Sequence, residues 1–159
     1  MTTAYVDRMA IVVADLDAAI RDFGNIFGMR FEVTEVAELG IRVGVCDQGI
    51  ELVQQIDPES TIAPNWAGGV LAALSINVDD YEGVKQKMIE RGADLINEVD
   101  VHSLQEFIVT KGSFHGIPVC VAKYEGSFTE AMHGGHGLPP DFEPRVTWLK
   151  KEFAPREAP

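Results

Sequence analysis

Histidine and cysteine, two residue types that often do chemistry, are few in this chain. The two that stand closest together are His133 and His136. Both stand in residues 132–137, which read MHGGHG. Two neighbouring imidazoles are a candidate metal-binding pair. A glycine-rich segment lacks the rigidity on which metal-ligand spacing relies, so we favour a lid or a disordered arm over a metal site here.

The other two histidines flank a short apolar run at residues 106–109. We interpret His102 as a solvated turn residue. His115 stands in the turn formed by residues 111–116, where it is a candidate general acid and substrate-binding residue. An exposed loop histidine without a chemical role is the alternative that the surrounding glycines favour.

Cysteine chemistry is the next possibility, and the chain contains Cys46 and Cys120. Cys120 would be a nucleophile if its thiolate were stabilised. Because it stands between Val119 and Val121, we favour a buried and inert thiol. The two cysteines show no framework-like spacing, so we expect a reducing, cytoplasmic setting.

Composition indicates a single soluble domain without nucleic-acid or membrane partners. The chain has 159 residues, 46% of them hydrophobic, and 25 acidic against 13 basic residues, for a formal net charge of -12. Such a charge repels phosphate backbones. No apolar run approaches the roughly 20 residues that span a bilayer, and the N-terminus does not read as a secretion signal.

The elements that must position these residues follow a pattern that occurs twice. An apolar, strand-like run covers residues 6–13, and a second covers residues 71–78. Each ends near an aspartate able to accept the free N–H groups of a helix's first turn. Apolar residues at helical spacing follow in both copies, and Gly28 and Gly92 are expected to end the two helices.

Three further strands are predicted in each copy, among them residues 41–46 in the first and an irregular stretch at 93–101 in the second. Each unit therefore reads as strand, helix and three strands. The predicted boundaries are residues 5–56 and 70–124 for the two units, with a linker at 57–69. Both units form one domain over residues 1–124. Residues 125–159 form a Gly-, Pro- and His-rich arm that we expect to end in a short helix or strand.

The doubled unit resembles the vicinal oxygen chelate superfamily, which contains glyoxalase, methylmalonyl-CoA epimerase, bleomycin-resistance proteins and extradiol dioxygenases. The resemblance rests on residues 6–31 and 49–53 in order, and on their repetition. It implies an α+β fold in which two tandem βαβββ repeats form a cup-shaped mixed sheet around a small-molecule ligand. By the same analogy we expect a homodimer.

The resemblance also implies where a metal would be held: by one residue on each first strand and by a carboxylate on each last strand. The corresponding residues here are Arg8 and Ala73, then Glu51 and Cys120. Arginine stays protonated and alanine has no donor atom. We therefore predict no metal and no other cofactor. If a metal did bind, Glu51, Cys120 and the His133–His136 pair would be its ligands.

The resemblance assigns catalytic roles to Glu51, as a base beside a carbonyl, and to Arg8, as its electrostatic partner. A structural ion pair, or a ligand carboxylate bound to Arg8, are the alternatives. The residues predicted to contact substrate are Cys120, Ala73, His115 and Trp66. The predicted function is a metal-independent isomerase or lyase acting on a small carbonyl compound or thioester; the alternative is a non-catalytic protein that binds or sequesters a small molecule.

Overall fold

In the computed structural model, the described residues are 3–58, 70–101, 103–133 and 145–149. The first unit contains β1 (Ala4–Val12), α1 (Leu16–Phe27), β2 (Glu32–Val36), β3 (Ile41–Cys46) and β4 (Ile50–Gln55). The second contains β5 (Val70–Val78), α2 (Tyr81–Glu90), β6 (Leu95–Val101), β7 (Leu104–Val109) and β8 (Val119–Lys123). Helix α3 (Phe128–His133) and strand β9 (Arg145–Trp148) follow.

The strands of the described ranges all belong to one mixed sheet with the order β2-β3-β4-β1-β5-β8-β7-β6-β9. Strand β1 is parallel to β4, and β5 is parallel to β8 in the same way. The two halves meet where β1 and β5 pair antiparallel. The predicted α+β fold of two βαβββ repeats is confirmed.

Helices α1 and α2 begin and end near the residues that the sequence indicated. Asp15 accepts a hydrogen bond from the backbone N–H of Ala18, and Asp80 accepts one from that of Gly83. Gly28, with φ 71°, follows α1 in the left-handed conformation that glycine adopts without strain. Gly92 follows α2 with φ 81°.

The two faces of the sheet are covered by different helices. Tyr81 of α2 packs in a cluster with Phe107 and Val121, and Gly44 of β3 faces Leu16 and Ile20 of α1. We call this side of the sheet the outer face. The opposite side, which we call the inner face, is covered by α3.

The inner face curls so that residues from distant strands meet. Val43 of β3 and Val99 of β6 lie far apart in the strand order, yet they belong to one buried cluster with Phe128 and Ala131 of α3. This closure makes the sheet a cup whose inner face is occupied by part of the C-terminal segment.

Strand β9 extends the second half of the sheet by pairing with β6. The predicted division between a domain at 1–124 and an arm at 125–159 stays a prediction, although residues of both parts pack together. Among the described residues, no helix is long and apolar enough to cross a membrane.

Candidate functional site

The centre of the inner face is the guanidinium of Arg8, which β1 places near the junction of the two repeats. Its Nε donates to Glu51 Oε2 on β4 at 2.7 Å, and its Nη2 donates to Glu106 Oε2 on β7 at 2.6 Å. Its Nη1 donates to Asp7 Oδ2 and, at 2.9 Å, to Ser75 Oγ on β5. One cation therefore joins both halves of the cup.

Asp7 joins this cluster because β1 contains a β-bulge. Val6 pairs with Ile76 and Arg8 pairs with Ser75, which leaves Asp7 as the extra residue between them. Consecutive strand residues normally point to opposite faces, and a bulge re-aims one of them. Asp7 and Arg8 consequently both reach the inner face, where they form an ion pair.

Two aromatic residues enclose the cluster from the C-terminal side. The ring of Phe128 stacks on the guanidinium, with 3.6 Å from Arg8 Cζ to the ring centroid. The hydroxyl of Tyr124 donates to Asp7 Oδ1. As a result Arg8 is only 5% exposed.

The cluster around Arg8 contains more acidic groups than basic ones. Arg8 contacts three carboxylates, those of Asp7, Glu51 and Glu106. Burial opposes the charged guanidinium, but the two glutamates outweigh this effect and raise the pKa of Arg8 well above its ordinary value. The guanidinium is permanently charged, so any balancing proton has to be held by the acidic groups.

Glu51 is the acidic group whose proton affinity increases. Burial raises the pKa of Glu51 above its ordinary value of 4.5, while the nearby Arg8 acts in the opposite direction without cancelling the effect. Its side chain remains 15% exposed. A carboxylate with a raised pKa is a better general base near neutral pH than an ordinary surface glutamate.

Cys120 occupies the position in the second repeat that Glu51 occupies in the first. Glu51 pairs with Ala10 across the β1–β4 ladder, and Cys120 pairs with Ser75 across the equivalent β5–β8 ladder. Burial, and then the charge of Glu106, raise the pKa of the Cys120 thiol well above its ordinary value. A thiol held in its protonated form is a poor nucleophile.

The other predicted substrate-binding residues are distributed differently. Ala73 lies on β5 and packs against the inner-face cluster that includes Phe128. His115 is exposed, has φ 53°, and its ring contacts that of Phe114; the structure does not bring it to Arg8 or Glu51. Trp66, His102 and His136 lie outside the described residues.

The donor set does not fit the metal that the resemblance implies. Arg8 occupies the space between Glu51 and Glu106, a guanidinium has no lone pair to donate, and the Cys120 thiol is held protonated. Within the described ranges, no three His, Cys, Asp or Glu residues converge as metal ligands. Binding a divalent ion at this position would require Arg8 to leave.

Sequence reasoning did not identify five members of the site: Asp7, Ser75, Glu106, Tyr124 and Phe128. Ser75 and Glu106 were detectable in principle, because each is a polar residue that shares a face of its strand with apolar residues two positions away. Asp7 was not, because its orientation depends on the bulge in β1.

With this geometry described, comparison with known proteins identifies the family. The model of the glyoxalase/bleomycin resistance protein/dioxygenase superfamily matches residues 7–108, which is more than half of the chain. The chain belongs to this superfamily, as the sequence resemblance predicted. No curated protein matches the chain.

Solved structures show the same fold at low sequence identity. A Streptomyces coelicolor methylmalonyl-CoA epimerase variant in complex with 2-nitronate-propionyl-CoA is 16% identical, with TM-score 0.64 over 76% of this chain and 97% of that chain. Methylmalonyl-CoA epimerase from Mycobacterium tuberculosis is 19% identical, with TM-score 0.65 over 76% and 88% of the two chains. A hypothetical protein from Bacillus halodurans C-125 is 16% identical, with TM-score 0.67 over 78% and 96%.

Proposed function

We propose that this chain is a metal-independent isomerase that abstracts a proton next to the carbonyl of a small carbonyl compound or thioester. Glu51 is the base and Arg8 is its electrostatic partner. The observation that carries the proposal is the direct 2.7 Å contact between these two groups, together with the burial that raises the pKa of Glu51.

In the reaction, the carboxylate of Glu51 takes the proton from the carbon beside the carbonyl. The C–H bonding pair moves into the carbon–carbon bond, and the carbonyl pair moves to oxygen to give an enolate. The fixed charge of Arg8 stabilises the developing negative charge in a site with little water. A proton delivered from solvent to the opposite face of the same carbon, with the reverse electron movement, gives the epimer. Glu51, whose side chain is 15% exposed, is restored when it releases its own proton to solvent.

The guanidinium retains one hydrogen with which to bind a substrate oxygen. An arginine has five N–H groups, and the contacts to Glu51, Glu106, Asp7 and Ser75 use four of them. Among the described residues, the second hydrogen on Nη2 has no partner. A carbonyl oxygen bound there would share Nη2 with Glu106.

The structural neighbours support the reaction type by analogy. Two of those described above are methylmalonyl-CoA epimerases, and one of these holds a propionyl-CoA derivative. Epimerisation of a thioester is an isomerisation of the proposed class. The expected homodimer and cytoplasmic location belong to the same proposal, as does lyase chemistry, which begins with the same proton abstraction.

A non-catalytic protein that binds or sequesters a small molecule is the second candidate. The observation that favours it is that Arg8 already makes four hydrogen bonds and stacks on the Phe128 ring. Little of the guanidinium is left to bind a substrate. In that case the cluster fixes the shape and polarity of the cup, and the carboxylates do not transfer protons.

Isotope exchange separates the two candidates. The protein is incubated in D₂O with propionyl-CoA and with methylmalonyl-CoA, with and without EDTA, and deuterium at the carbon beside the thioester carbonyl is measured by mass spectrometry. We expect exchange that EDTA does not reduce and that Glu51→Gln abolishes without abolishing binding. Glu82→Gln, an exposed glutamate on α2, is the matched control and should keep full exchange.

Three results would contradict the proposed metal-independent isomerase. Exchange that persists unchanged in Glu51→Gln would remove Glu51 as the base. Binding of a thioester without any exchange, in the wild type and the variant alike, would establish the sequestering protein instead. Exchange that EDTA eliminates would show that a metal is required.

A further inference from the structure

Asn97 on β6 is a buried polar side chain that the cluster around Arg8 does not use. It is 0% exposed. Neither its Oδ1 nor its Nδ2 has a hydrogen-bond partner among the described residues. A buried amide without partners is costly, and native proteins almost always satisfy such a group with protein, water or a ligand.

The register of β6 shows that this side chain faces into the cup. Leu95 pairs with Val109 on the outer face, and a β-bulge between Leu95 and Asn97 reverses the alternation. Asn97 then pairs with Ile108 and Val99 pairs with Glu106. Val99 belongs to the inner-face cluster with Phe128, so Asn97, two residues earlier, shares that face.

The same register places Asn97 close to the cluster around Arg8. Val99 lies directly opposite Glu106, so Asn97 is the diagonal neighbour of Glu106 on the same face. Diagonal neighbours in an antiparallel pair are about 7–8 Å apart, within reach of one small molecule. Glu106 in turn binds Arg8.

We infer that Asn97 anchors a ligand subsite on the inner face, for a group that carries a hydrogen-bond acceptor and a donor side by side. A primary amide has this arrangement and pairs with a carboxamide through two hydrogen bonds. The inference rests on the proposed function in one respect: the other end of the ligand is the carbonyl group beside Glu51 and Arg8. The substrate class is then a small carbonyl compound with an amide or protonated carboxyl group a few bonds away.

Two ligands of the same shape test this subsite. Levulinamide has a ketone and a primary amide, and methyl isoamyl ketone has the same skeleton with an isopropyl group in place of the amide. Binding of each is measured by calorimetry. We expect levulinamide to bind the wild type about tenfold more tightly, which corresponds to about 1.4 kcal/mol.

Asn97→Leu should remove this preference while binding of methyl isoamyl ketone remains. Its melting temperature without ligand should be equal to or above that of the wild type, because an unsatisfied amide is replaced by an apolar group of similar size. Asn25→Leu, an exposed asparagine on α1, makes the same change outside the cup and should keep the preference. If Asn97→Leu does not fold, Asn97→Ser, whose side chain is too short to form both hydrogen bonds, should lose the preference instead.

Equal binding of the two ligands by the wild type would overturn the inference, and so would a preference that survives in Asn97→Leu and Asn97→Ser. A melting temperature several degrees lower in Asn97→Leu would also overturn it, because it would show an amide satisfied inside the protein, for example by buried water. Glu51→Gln should retain the amide preference. Loss of isotope exchange with that preference intact would therefore count against the isomerase and not against the subsite.

Discussion

At the scale of single residues, the site is organised by one arginine. Arg8 is enclosed by the three carboxylates it binds and by the ring of Phe128. A buried ion pair adds little stability compared with an apolar replacement of both partners, but removing one partner leaves the other charge buried and unpaired. The cluster is therefore much more sensitive to the loss of its cation than an exposed ion pair would be.

Replacing Arg8 tests this sensitivity. We expect Arg8→Met to lower the free energy of unfolding at neutral pH by about 3–5 kcal/mol, because the buried carboxylates lose their counter-charge. Arg42→Met is the matched control. Its ion pair with Asp17 is largely exposed, so it should cost at most about 1 kcal/mol. Urea denaturation of both variants gives the comparison, and equal losses would show that Arg8 does not balance buried charge.

The raised pKa of Glu51 makes stability depend on pH. The unfolded chain releases this proton near the ordinary value of 4.5, whereas burial keeps it bound to a higher pH in the folded state. The stabilising contribution of this group is complete below the unfolded pKa and is lost as the pH rises through the folded pKa. Glu51→Gln has no such titration.

We therefore expect the wild type to lose stability relative to Glu51→Gln as the pH rises from 4.5 towards neutrality. Denaturation curves of both proteins across this range measure the difference. A difference that does not change with pH, or that changes in the opposite direction, would show that the folded state does not raise the pKa of this carboxyl.

The family resemblance pointed to Arg8, Glu51 and Cys120, because the positions it singles out in each repeat can be located on the sequence alone. It missed Asp7 because a bulge changes the direction of a side chain without changing the sequence pattern. Glu106 was seen only as part of a strand, because its partner Arg8 is 98 positions away along the chain. Contacts of this length depend on how strands are ordered in the sheet.

At the scale of elements, helix α1 packs closely on the outer face of the first repeat. Gly44 of β3 lies directly beneath α1, and a Cβ atom added there would be 3.0 Å from Ile20 Cδ1 and 3.4 Å from Leu16 Cδ1. A larger residue has to move the helix or force its side chains out of their preferred rotamers.

Gly44→Val should thus lower the free energy of unfolding by about 1–3 kcal/mol. Gly112→Val is the matched control, because an added Cβ at Gly112 meets no atom within 4 Å and its φ is not positive. Its effect should stay within about 0.5 kcal/mol. Thermal denaturation of the two variants measures both, and equal effects would mean that α1 does not pack tightly on β3.

The elements that could be predicted are those whose own residues, or those directly beside them, show a recognisable pattern. Strand β3 has the predicted bounds, Ile41–Cys46, and α1 lies between the aspartate and the glycine that were expected to limit it. Strand β6 begins two residues later than its irregular pattern indicated. The arm was expected to end in a short helix or strand, and β9 lies in that part of the chain. Helix α3 was not located, because it is held by contacts with distant parts of the sheet and has little pattern of its own.

At the scale of the whole molecule, α3 completes the interior of the cup. Phe128 is 6% exposed and Ala131 is 1% exposed, and both pack against residues of the two repeats. Thr129 binds Asp47, in the turn between β3 and β4, through its backbone N–H and its hydroxyl. The C-terminal segment is thereby attached to the first repeat.

A chain that ends at residue 124 tests whether the two repeats suffice for a stable domain. We expect it to melt at a lower temperature than the full chain, because the apolar inner face loses the residues that cover it. Phe128→Ala in the full chain should lower the free energy of unfolding by about 3–5 kcal/mol and so reproduce part of this loss of stability. Circular dichroism melts of the three proteins provide the comparison, and equal melting temperatures would establish residues 1–124 as an independent domain.

The pairing of β1 with β5 relates two halves that are alike in backbone and unlike in chemistry. Arg8 and Glu51 stand in one half, where the other half has Ala73 and Cys120. A molecule with two similar ends would meet the cation and carboxylate of Arg8 and Glu51 on one side, and on the other the carboxylate of Glu106 together with a neutral alanine and thiol. The enclosure is therefore asymmetric: a ligand inside it would place only one of its ends against Arg8 and Glu51.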